Sequence, residues 1–203
     1  MKLYDFSDSG NGYKVRLLLN LLDIPYRYEE VDILNGGSRT PEFLAKNPNG
    51  RIPVLEVEPG VFLPESNAIL CFLAEGTPFL PAERWHRARV MQWLFFEQYS
   101  HEPNIATPRF WLRHTEVDDP RRAMLEARQE QGRAALGVME RHLAENPYFA
   151  GGRYTIADIA LYAYTHVADQ GGFDLAPYPA VHDWMERIRH QPRHIPMFPA
   201  TGA

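Results

Sequence analysis

The sequence predicts a protein of two domains: an α/β domain over residues 1–76, a linker over residues 77–84 and an all-helical domain over residues 85–203. Two patterns of apolar residues predict this division. Alternation with a period of two, typical of half-buried strands, occurs in the first domain, whereas the three-and-four spacing of amphipathic helices continues through the second. Between them, the segment Gly76-Thr77-Pro78-Phe79-Leu80-Pro81 contains the glycine and prolines that punctuate a chain.

The first domain has a predicted β-α-β-α-β-β-α order. Its first strand, first helix and second strand follow one another so closely that they imply a parallel strand pair with a right-handed crossover. Residues 35–38 read as a flexible loop. The predicted elements are strands at 2–6 and 26–31, a helix from Tyr13 to before Pro25, a short helix at 40–44, a hairpin at 51–63 and a helix at 65–75.

The second domain shows helical spacing throughout. A first long helix begins near Trp85, and we expect Pro103 and Pro108 to break or kink it, because proline lacks a backbone N–H. A second long helix is expected to be interrupted by Gly132 and Gly137.

The third helix of this domain carries a start signal. Thr155 and Asp158 fit a capping box, in which each side chain satisfies a backbone N–H group of the other residue. A last helix carries Val181, Trp184 and Ile188 at helical spacing, and residues 194–203 form a tail.

Composition and charge exclude several function classes. The chain has a formal net charge of −5 and no basic run, so it lacks the clustered Lys and Arg that bind nucleic-acid phosphates. It has no apolar segment long enough to predict a membrane span. Its one cysteine, Cys71, reads as a small buried apolar residue and permits no intrachain disulfide, so a cytoplasmic location is the default. His101 and His114 belong to no metal-ligand constellation, and we expect no metal.

A ligand site is predicted where Ile52-Pro53 precedes the hairpin and Glu65-Ser66 begins the next helix. Pro53 restricts Ile52 to an extended conformation, which leaves the backbone of Ile52 able to pair with an added peptide strand. The N–H groups and the positive dipole end of the helix at Glu65 favour a carboxylate. Together these features predict a receptor for a short, zwitterionic peptide that carries a carboxylate.

Four motifs occur in an order that is similar to a known family. They are Arg51-Ile52-Pro53, Glu65-Ser66-Asn67-Ala68-Ile69, and Phe149-Ala150-Gly151-Gly152 leading into Thr155-Ile156-Ala157-Asp158. With the predicted elements between them, the chain resembles the glutathione S-transferase superfamily from end to end.

A further motif points to a subgroup. Ser9-Gly10-Asn11-Gly12-Tyr13-Lys14-Val15-Arg16 looks like bacterial members that use a Ser or Thr with a nearby Asn. Some of those, the nu-type enzymes, reduce disulfides. The chain departs from the Tyr-type and Cys-type classes, because Tyr4 lies inside the first strand and no cysteine lies near the first helix.

The resemblance implies a thioredoxin-like first domain, a homodimer, and glutathione as a co-substrate with no tightly bound cofactor. Ser9 and Asn11 would be the catalytic residues beside the glutathione sulfur. The helical domain would form the wall that faces the co-substrate, with the candidate residues His101, Arg109 and Phe110.

The resemblance also implies how the rest of glutathione binds. Ile52 would pair its backbone with the cysteinyl segment, across a cis Ile52-Pro53 bond. Glu65 would take the ammonium group and Ser66 the γ-glutamyl carboxylate. The candidates for the glycyl carboxylate are Ser38, Arg39 and Lys14.

Thiol chemistry explains why a hydroxyl is needed. A free thiol has a pKa of about 8.5, and only the thiolate is the nucleophile. Lowering that pKa to about 6.5 requires about 2.7 kcal/mol. A hydroxyl donor, worth about 1.5–3 kcal/mol to a charged group, and the first helix N-terminus could supply it. From the residues alone, Ser7 remains an alternative to Ser9, and Asn11 could simply cap the helix.

We therefore expect a glutathione transferase that adds the thiolate to a small electrophile without a covalent enzyme intermediate. Glutathione-dependent disulfide reduction is the alternative, and a peroxidase activity is compatible with the same residues. A non-catalytic member that binds a protein partner is the second alternative, and the complete set of Ser9, Glu65 and Ser66 argues against it.

Overall fold

The structure is a computed structural model in which residues 1–198 are described. Its contacts divide the chain into two compact units: Met1–Glu75 together with the chain from Pro192 onward, and Gly76–Gln191. The tail up to residue 198 therefore groups with the first unit, whereas the sequence-based boundary assigned it to the helical domain. Residues 199–203 of the predicted tail lie outside the described residues.

The first unit is a four-stranded mixed sheet with helices, as the element order predicted. Its elements are β1 (Lys2–Asp5), α1 (Gly10–Leu21), β2 (Arg27–Glu30), α2 (Pro41–Leu44), β3 (Val54–Glu58), β4 (Val61–Pro64) and α3 (Ser66–Ala74). The strand order is β2-β1-β3-β4. The β1–β2 pair is parallel, as expected, and the other two pairs are antiparallel.

Three local features of this unit differ from expectation. Helix α1 begins at Gly10 rather than Tyr13, because Ser9 caps it. Strand β2 was expected to be half-buried, but it is an edge strand whose four residues are all exposed. The loop predicted at 35–38 contains a 3-10 turn, Gly37–Arg39.

The tail is bound by side chains of α1. The Tyr13 hydroxyl donates to the Ile195 carbonyl at 2.6 Å, and Asn20 Nδ2 donates to the Arg193 carbonyl at 2.6 Å. Arg16 Nη1 donates to the Met197 carbonyl at 3.2 Å. These backbone contacts explain why the tail groups with the first unit.

The second unit is helical. Its α-helices are α4 (Arg84–Phe96), α5 (Glu102–His114), α6 (Leu125–Leu143), α7 (Ile156–Thr165) and α8 (Pro179–Arg189), and a π-helical turn, Glu97–His101, joins α4 to α5. None of the helices within residues 1–198 combines the length and the hydropathy that crossing a membrane requires.

The two interruptions predicted at Gly132 and Gly137 are wrong. Pro103 does lie in the first turn of α5, but α5 continues through Pro108, and α6 continues through Gly132 and Gly137. Gly132 serves close packing instead: a Cβ there would lie 2.7 Å from the Asn104 carbonyl oxygen. That carbonyl is four residues before Pro108, which has no N–H to donate to it.

Asp158 is the centre of polar packing in this unit. The capping box with Thr155 is present, and Asp158 is fully buried. Its Oδ2 accepts from the Thr155 N–H at 2.9 Å and from the Thr155 hydroxyl at 3.0 Å. Its Oδ1 accepts from the Phe149 N–H and from Trp184 Nε1, both at 3.0 Å. One carboxylate thus joins the start of α7 to the preceding loop and to α8.

We expect Asp158→Asn to lower the free energy of unfolding by about 3 kcal/mol, because the new amide nitrogen would face two donors instead of accepting from them. Urea denaturation followed by circular dichroism measures this loss. Asp183→Asn removes an exposed carboxylate of α8 and is the control, with an expected change within about 0.5 kcal/mol. Equal losses in the two variants would show that the four contacts of Asp158 do not stabilise the fold.

Candidate active site

The N-terminus of α1 carries the two residues predicted to act on the sulfur. Ser9 has an extended backbone, and its Oγ accepts from the Gly12 N–H at 3.3 Å. The capping residue is therefore Ser9, not Asn11. Capping uses a lone pair of the hydroxyl oxygen and leaves its hydrogen available for donation. The side chain is nearly buried, with 8% of the residue exposed.

Ser7 lies in a different environment. Its hydroxyl donates to Glu30 Oε1 at 3.1 Å, and its backbone N–H donates to the same carboxylate at 3.1 Å. The hydroxyl hydrogen is engaged in this exposed contact with β2. The geometry therefore favours Ser9 over Ser7 as a donor to a ligand.

Asn11 and Ser66 are brought together from α1 and α3. The Ser66 hydroxyl donates to Asn11 Oδ1 at 3.3 Å, and Lys14 Nζ donates to Ser66 Oγ at 3.3 Å. Lys14 is fully buried, and Ser66 is 5% exposed. The predicted sulfur end and the predicted γ-glutamyl end of the site are thus connected by hydrogen bonds.

Glu65 adopts a backbone conformation that is rare for its residue type. Its φ angle is 72°, in the region that favours glycine, and it occupies the position before α3. Strain of about 1–3 kcal/mol at such a residue persists where the surroundings enforce it, and such residues cluster at ligand sites. The side chain makes no capping bond to α3 and is exposed. It is therefore placed beside the N–H groups of a helix N-terminus.

The Ile52-Pro53 bond is cis. Ile52 is half-buried and packs on a cluster that includes Tyr4, Phe43 and Val54. Ile52 lies two residues before β3, with its backbone outside the ladder that β3 forms with β1.

Ser38 and Arg39 lie near the turn that leads into Arg51. Ser38 is 6% exposed. Arg39 Nη1 donates to the Asn49 carbonyl at 3.0 Å, and a Cβ on Gly50 would lie 2.4 Å from that nitrogen. The Arg39 guanidinium therefore braces this turn, and its predicted role at the glycyl carboxylate stays a prediction.

The predicted wall residues are all on the second unit. His101 is fully buried, with Nε2 at 2.9 Å from Thr165 Oγ1. Arg109 is 3% exposed, and its Nε donates to Gln170 Oε1 at 2.8 Å. Phe110 is half-buried beside the His114 ring. The first two side chains contribute to packing within the unit, and their place in a co-substrate wall stays a prediction.

Cys71 is half-buried rather than buried. Within residues 1–198, no three His, Cys, Asp or Glu side chains are grouped so that they could hold a metal ion.

Asp5 is a residue that sequence reasoning missed. It ends β1, its side chain is fully buried, and it packs on the first turn of α1, where a Cβ on Gly12 would lie 1.6 Å from Asp5 Oδ1. Burial raises the pKa of Asp5 to about 7, against the opposing effect of Arg16, whose Nε lies 3.1 Å away. The available signal was an acid two residues after Leu3, on the buried face of the strand.

Comparisons with known proteins identify the family. Two protein-family models match the chain. The one described as "Glutathione S-transferase, N-terminal domain" matches residues 3–79, and the one described as "Glutathione S-transferase, C-terminal domain" matches residues 122–187. The chain is 34% identical over 194 residues to the disulfide-bond oxidoreductase YfcG of Escherichia coli (strain K12), covering 92% of this chain and 89% of that protein. It therefore belongs to the glutathione S-transferase superfamily, and its first unit is the thioredoxin-like domain of that fold.

Two solved structures are similar to this chain and agree with the family assignment. The crystal structure of a glutathione S-transferase from Pseudomonas fluorescens Pf-5 is 55% identical, with a TM-score of 0.95 over 98% of each chain. The structure of Ure2p in complex with glutathione is 27% identical, with a TM-score of 0.84 over 95% of each chain.

We expect Asp5→Asn to change the pH dependence of stability. The folded protein holds the Asp5 proton up to about pH 7, whereas the ordinary pKa is 3.8, so ionisation of Asp5 lowers stability as the pH rises between these values. Asparagine does not ionise. The stability of the variant relative to wild type should therefore rise by up to about 1.4 kcal/mol per pH unit between about pH 5 and 7, and then level off.

Urea denaturation at several pH values measures this difference, with Asp118→Asn as a control that removes an exposed carboxylate. A difference between Asp5→Asn and wild type that stays constant with pH would contradict the raised pKa.

Proposed function

We propose that this protein is a cytoplasmic glutathione transferase that binds glutathione as a co-substrate and activates its thiolate for attack on a small electrophile. The observation that carries the proposal is the Ser9 hydroxyl, which caps α1 with its oxygen and keeps its hydrogen for an anion. Asn11, two residues later, is connected through Ser66 to the start of α3, where a carboxylate is favoured. Membership of the superfamily supports glutathione as the ligand.

In the proposed mechanism, Ser9 and Asn11 donate hydrogen bonds to the sulfur and so lower the pKa of the bound thiol. The thiol proton passes to solvent. The sulfur lone pair then forms a bond to the electrophilic carbon, and the leaving group departs with the electrons of the bond that breaks. Neither Ser9 nor Asn11 forms a covalent bond, so the enzyme is unchanged after one turnover.

The remaining groups would bind the peptide. The backbone of Ile52 pairs with the cysteinyl segment, the exposed carboxylate of Glu65 takes the ammonium group, and the α3 N-terminus takes the γ-glutamyl carboxylate. Ser38 and Arg39 stay candidates for the glycyl carboxylate, whereas the third candidate, Lys14, is fully buried and donates to Ser66.

Disulfide reduction is the second candidate, and the likeness to the oxidoreductase YfcG favours it. In that reaction the same thiolate attacks a disulfide sulfur, and one thiolate of the substrate leaves. A second glutathione then resolves the mixed disulfide, releasing the other thiolate and oxidised glutathione. Two thiols are oxidised and one disulfide is reduced, so no other reductant is needed.

We expect Ser9→Ala to lower kcat/KM about tenfold to a hundredfold in whichever reaction the wild type catalyses, because a hydrogen bond to the charged sulfur is worth about 1.5–3 kcal/mol. The assays are conjugation of an aryl halide and reduction of a small disulfide, each with glutathione. Ser7→Ala is the matched control and should keep its activity, since its hydroxyl bonds Glu30.

The outcomes separate the candidates. Wild-type conjugation that exceeds disulfide turnover supports the transferase, and the reverse supports the reductase. Full activity of Ser9→Ala with loss in Ser7→Ala would overturn the assignment of Ser9. A wild type that neither reacts nor is retained on a glutathione column would favour a non-catalytic, partner-binding protein.

We also propose that the protein is a homodimer, as the superfamily resemblance implies. Phe95 of α4 and Tyr99 of the π-helical turn are four residues apart and are 72% and 87% exposed, an unusual exposure for large aromatic side chains. We expect light scattering after gel filtration to give a mass of two chains. Phe95→Glu should shift the mass towards one chain, whereas Val117→Glu, at a site that is 83% exposed, should not. A single-chain mass for wild type would refute the dimer.

A further inference from the structure

The Arg16 side chain connects three parts of the first unit. Arg16 lies in α1, seven residues after Ser9, and helix side chains lean towards the N-terminus of their helix. Its Nε lies 3.1 Å from Asp5 Oδ2, its Nη2 donates to the Ser7 carbonyl at 2.8 Å, and its Nη1 donates to the Met197 carbonyl at 3.2 Å. The end of β1, the loop before α1 and the tail therefore converge on one guanidinium group.

This arrangement uses the planar shape of the guanidinium group. Its donors lie on three nitrogens in one plane, with fixed angles between them. Here each nitrogen faces a different partner, so a displacement of one partner also shifts the donors that face the other two. Only 12% of the Arg16 side chain is exposed, which limits its freedom to rearrange. A lysine at this position would keep the positive charge but would carry it on a single nitrogen.

The Ser7 carbonyl that Arg16 binds belongs to the turn that leads into Ser9. The Ser9 N–H donates to the Phe6 carbonyl at 2.8 Å, which closes a four-residue turn around Ser7. Within this turn Ser7 is held at its N–H by Glu30 and at its carbonyl by Arg16. Movement of the Ser7 carbonyl therefore moves the backbone from which the Ser9 side chain extends.

The capping bond of Ser9 does not fix its hydroxyl tightly. The distance from the Gly12 nitrogen to Ser9 Oγ is 3.3 Å, whereas such bonds cluster at about 2.9–3.0 Å. The position of the hydroxyl consequently depends on the preceding turn as well as on the helix that Ser9 caps.

We propose that Arg16 is a positioning residue for Ser9, and that the tail supports this role by binding Arg16 through the Met197 carbonyl. This inference rests on the proposed function, in which Ser9 donates to the glutathione sulfur. A hydrogen bond weakens steeply when its donor tilts away from the acceptor. Displacement of the turn would therefore weaken the bond to the thiolate and raise the pKa of the bound thiol.

The tail can affect Arg16 without changing the rest of the fold. Residues 192–198 form no helix or strand, and side chains of α1 bind the tail at single carbonyls. Met197 itself is 2% exposed, so its buried side chain is part of what holds this end of the tail. A segment bound in this way can open locally while the sheet and the helices stay folded.

The test separates positioning from charge attraction. Arg16→Lys keeps the positive charge and removes the planar set of donors. Met197→Gly leaves Arg16 and the net charge unchanged, but it removes the buried side chain and adds backbone freedom, which favours release of the tail. The double variant of Ser9→Ala with Arg16→Lys asks whether Arg16 acts through Ser9.

Asp23→Asn is the control. It removes an exposed ion pair in which Arg193 Nη1 of the tail lies 3.0 Å from Asp23 Oδ1, and it leaves the contacts of Arg16 in place. Asparagine also tolerates the positive φ angle of 58° at this position.

Two measurements are made on each protein. The pKa of the bound glutathione thiol is obtained from the ultraviolet absorbance of the thiolate against pH. The affinity for S-methylglutathione, which has no ionisable thiol, is obtained by calorimetry. A general loss of stability lowers the folded fraction but does not move the thiol pKa of the protein that remains folded.

We expect Arg16→Lys to raise the pKa of the bound thiol by about one unit, and Met197→Gly to raise it by about half a unit. Adding Arg16→Lys to Ser9→Ala should raise it no further than Ser9→Ala alone, because both changes remove the same hydrogen bond. The affinity for S-methylglutathione should change less than about twofold in Arg16→Lys and Met197→Gly. Asp23→Asn should match wild type in both measurements.

Other results overturn the inference. An unchanged thiol pKa in Arg16→Lys, or a further rise when it is added to Ser9→Ala, would show that Arg16 does not position Ser9. An unchanged thiol pKa in Met197→Gly would refute the role of the tail. A loss of S-methylglutathione affinity as large as the effect on the thiol would show that the variants disturb the whole site.

The inference stays testable if Arg16→Lys does not fold. Met197→Gly then decides alone, and an unchanged thiol pKa in that variant overturns the proposal. A wild type that binds no glutathione, or binds it with an ordinary thiol pKa, would refute the proposed function itself, which is a distinct result.

Discussion

The candidate active site depends on the close contact between the end of β1 and the first turn of α1. Asp5 lies against the backbone of Gly12, where no side chain fits, and Arg16 of the same helix contacts the Asp5 carboxyl. This contact fixes the position of the helix N-terminus. The positions of Ser9, Asn11 and Lys14 depend on this contact, because all three residues lie at the start of α1. A buried carboxyl under a helix is costly, and Arg16 and the Phe6 N–H offset only part of that cost here, because burial still raises the pKa of Asp5.

The second constraint is the start of α3. Glu65 holds a strained backbone, and Ser66 follows with its hydroxyl directed at Asn11. The N-termini of α1 and α3 are therefore connected by a hydrogen bond between side chains. The first is proposed to bind the sulfur and the second a carboxylate. A ligand that spans both would be held at two points.

The sequence was sufficient for features that depend on local chemistry. The order of strands and helices, the capping box at Thr155, and the place of Ile52-Pro53 before a strand all follow from short-range patterns. It was not sufficient where distant residues decide. Gly132 looked like a helix breaker, yet it accommodates a carbonyl of α5. His101 and Arg109 were candidates for the co-substrate wall, and packing against α7 and the turn after it buries both side chains. The Lys14–Ser66–Asn11 chain joins residues 52 and 55 positions apart, which no periodicity reveals.

The position of the tail in the first unit determines when that unit can be completed during translation. The chain leaves the first unit at Glu75, builds the helical unit, and returns at Pro192 to be bound by Tyr13, Arg16 and Asn20. On a ribosome, the α/β unit therefore emerges before the helical unit but is completed only after the helical unit has been translated. Arg16 also donates to the Ser7 carbonyl, so one side chain contacts both the tail and the loop that leads to Ser9. Nascent chains should consequently lack these tail contacts until the segment that follows Pro192 has left the exit tunnel.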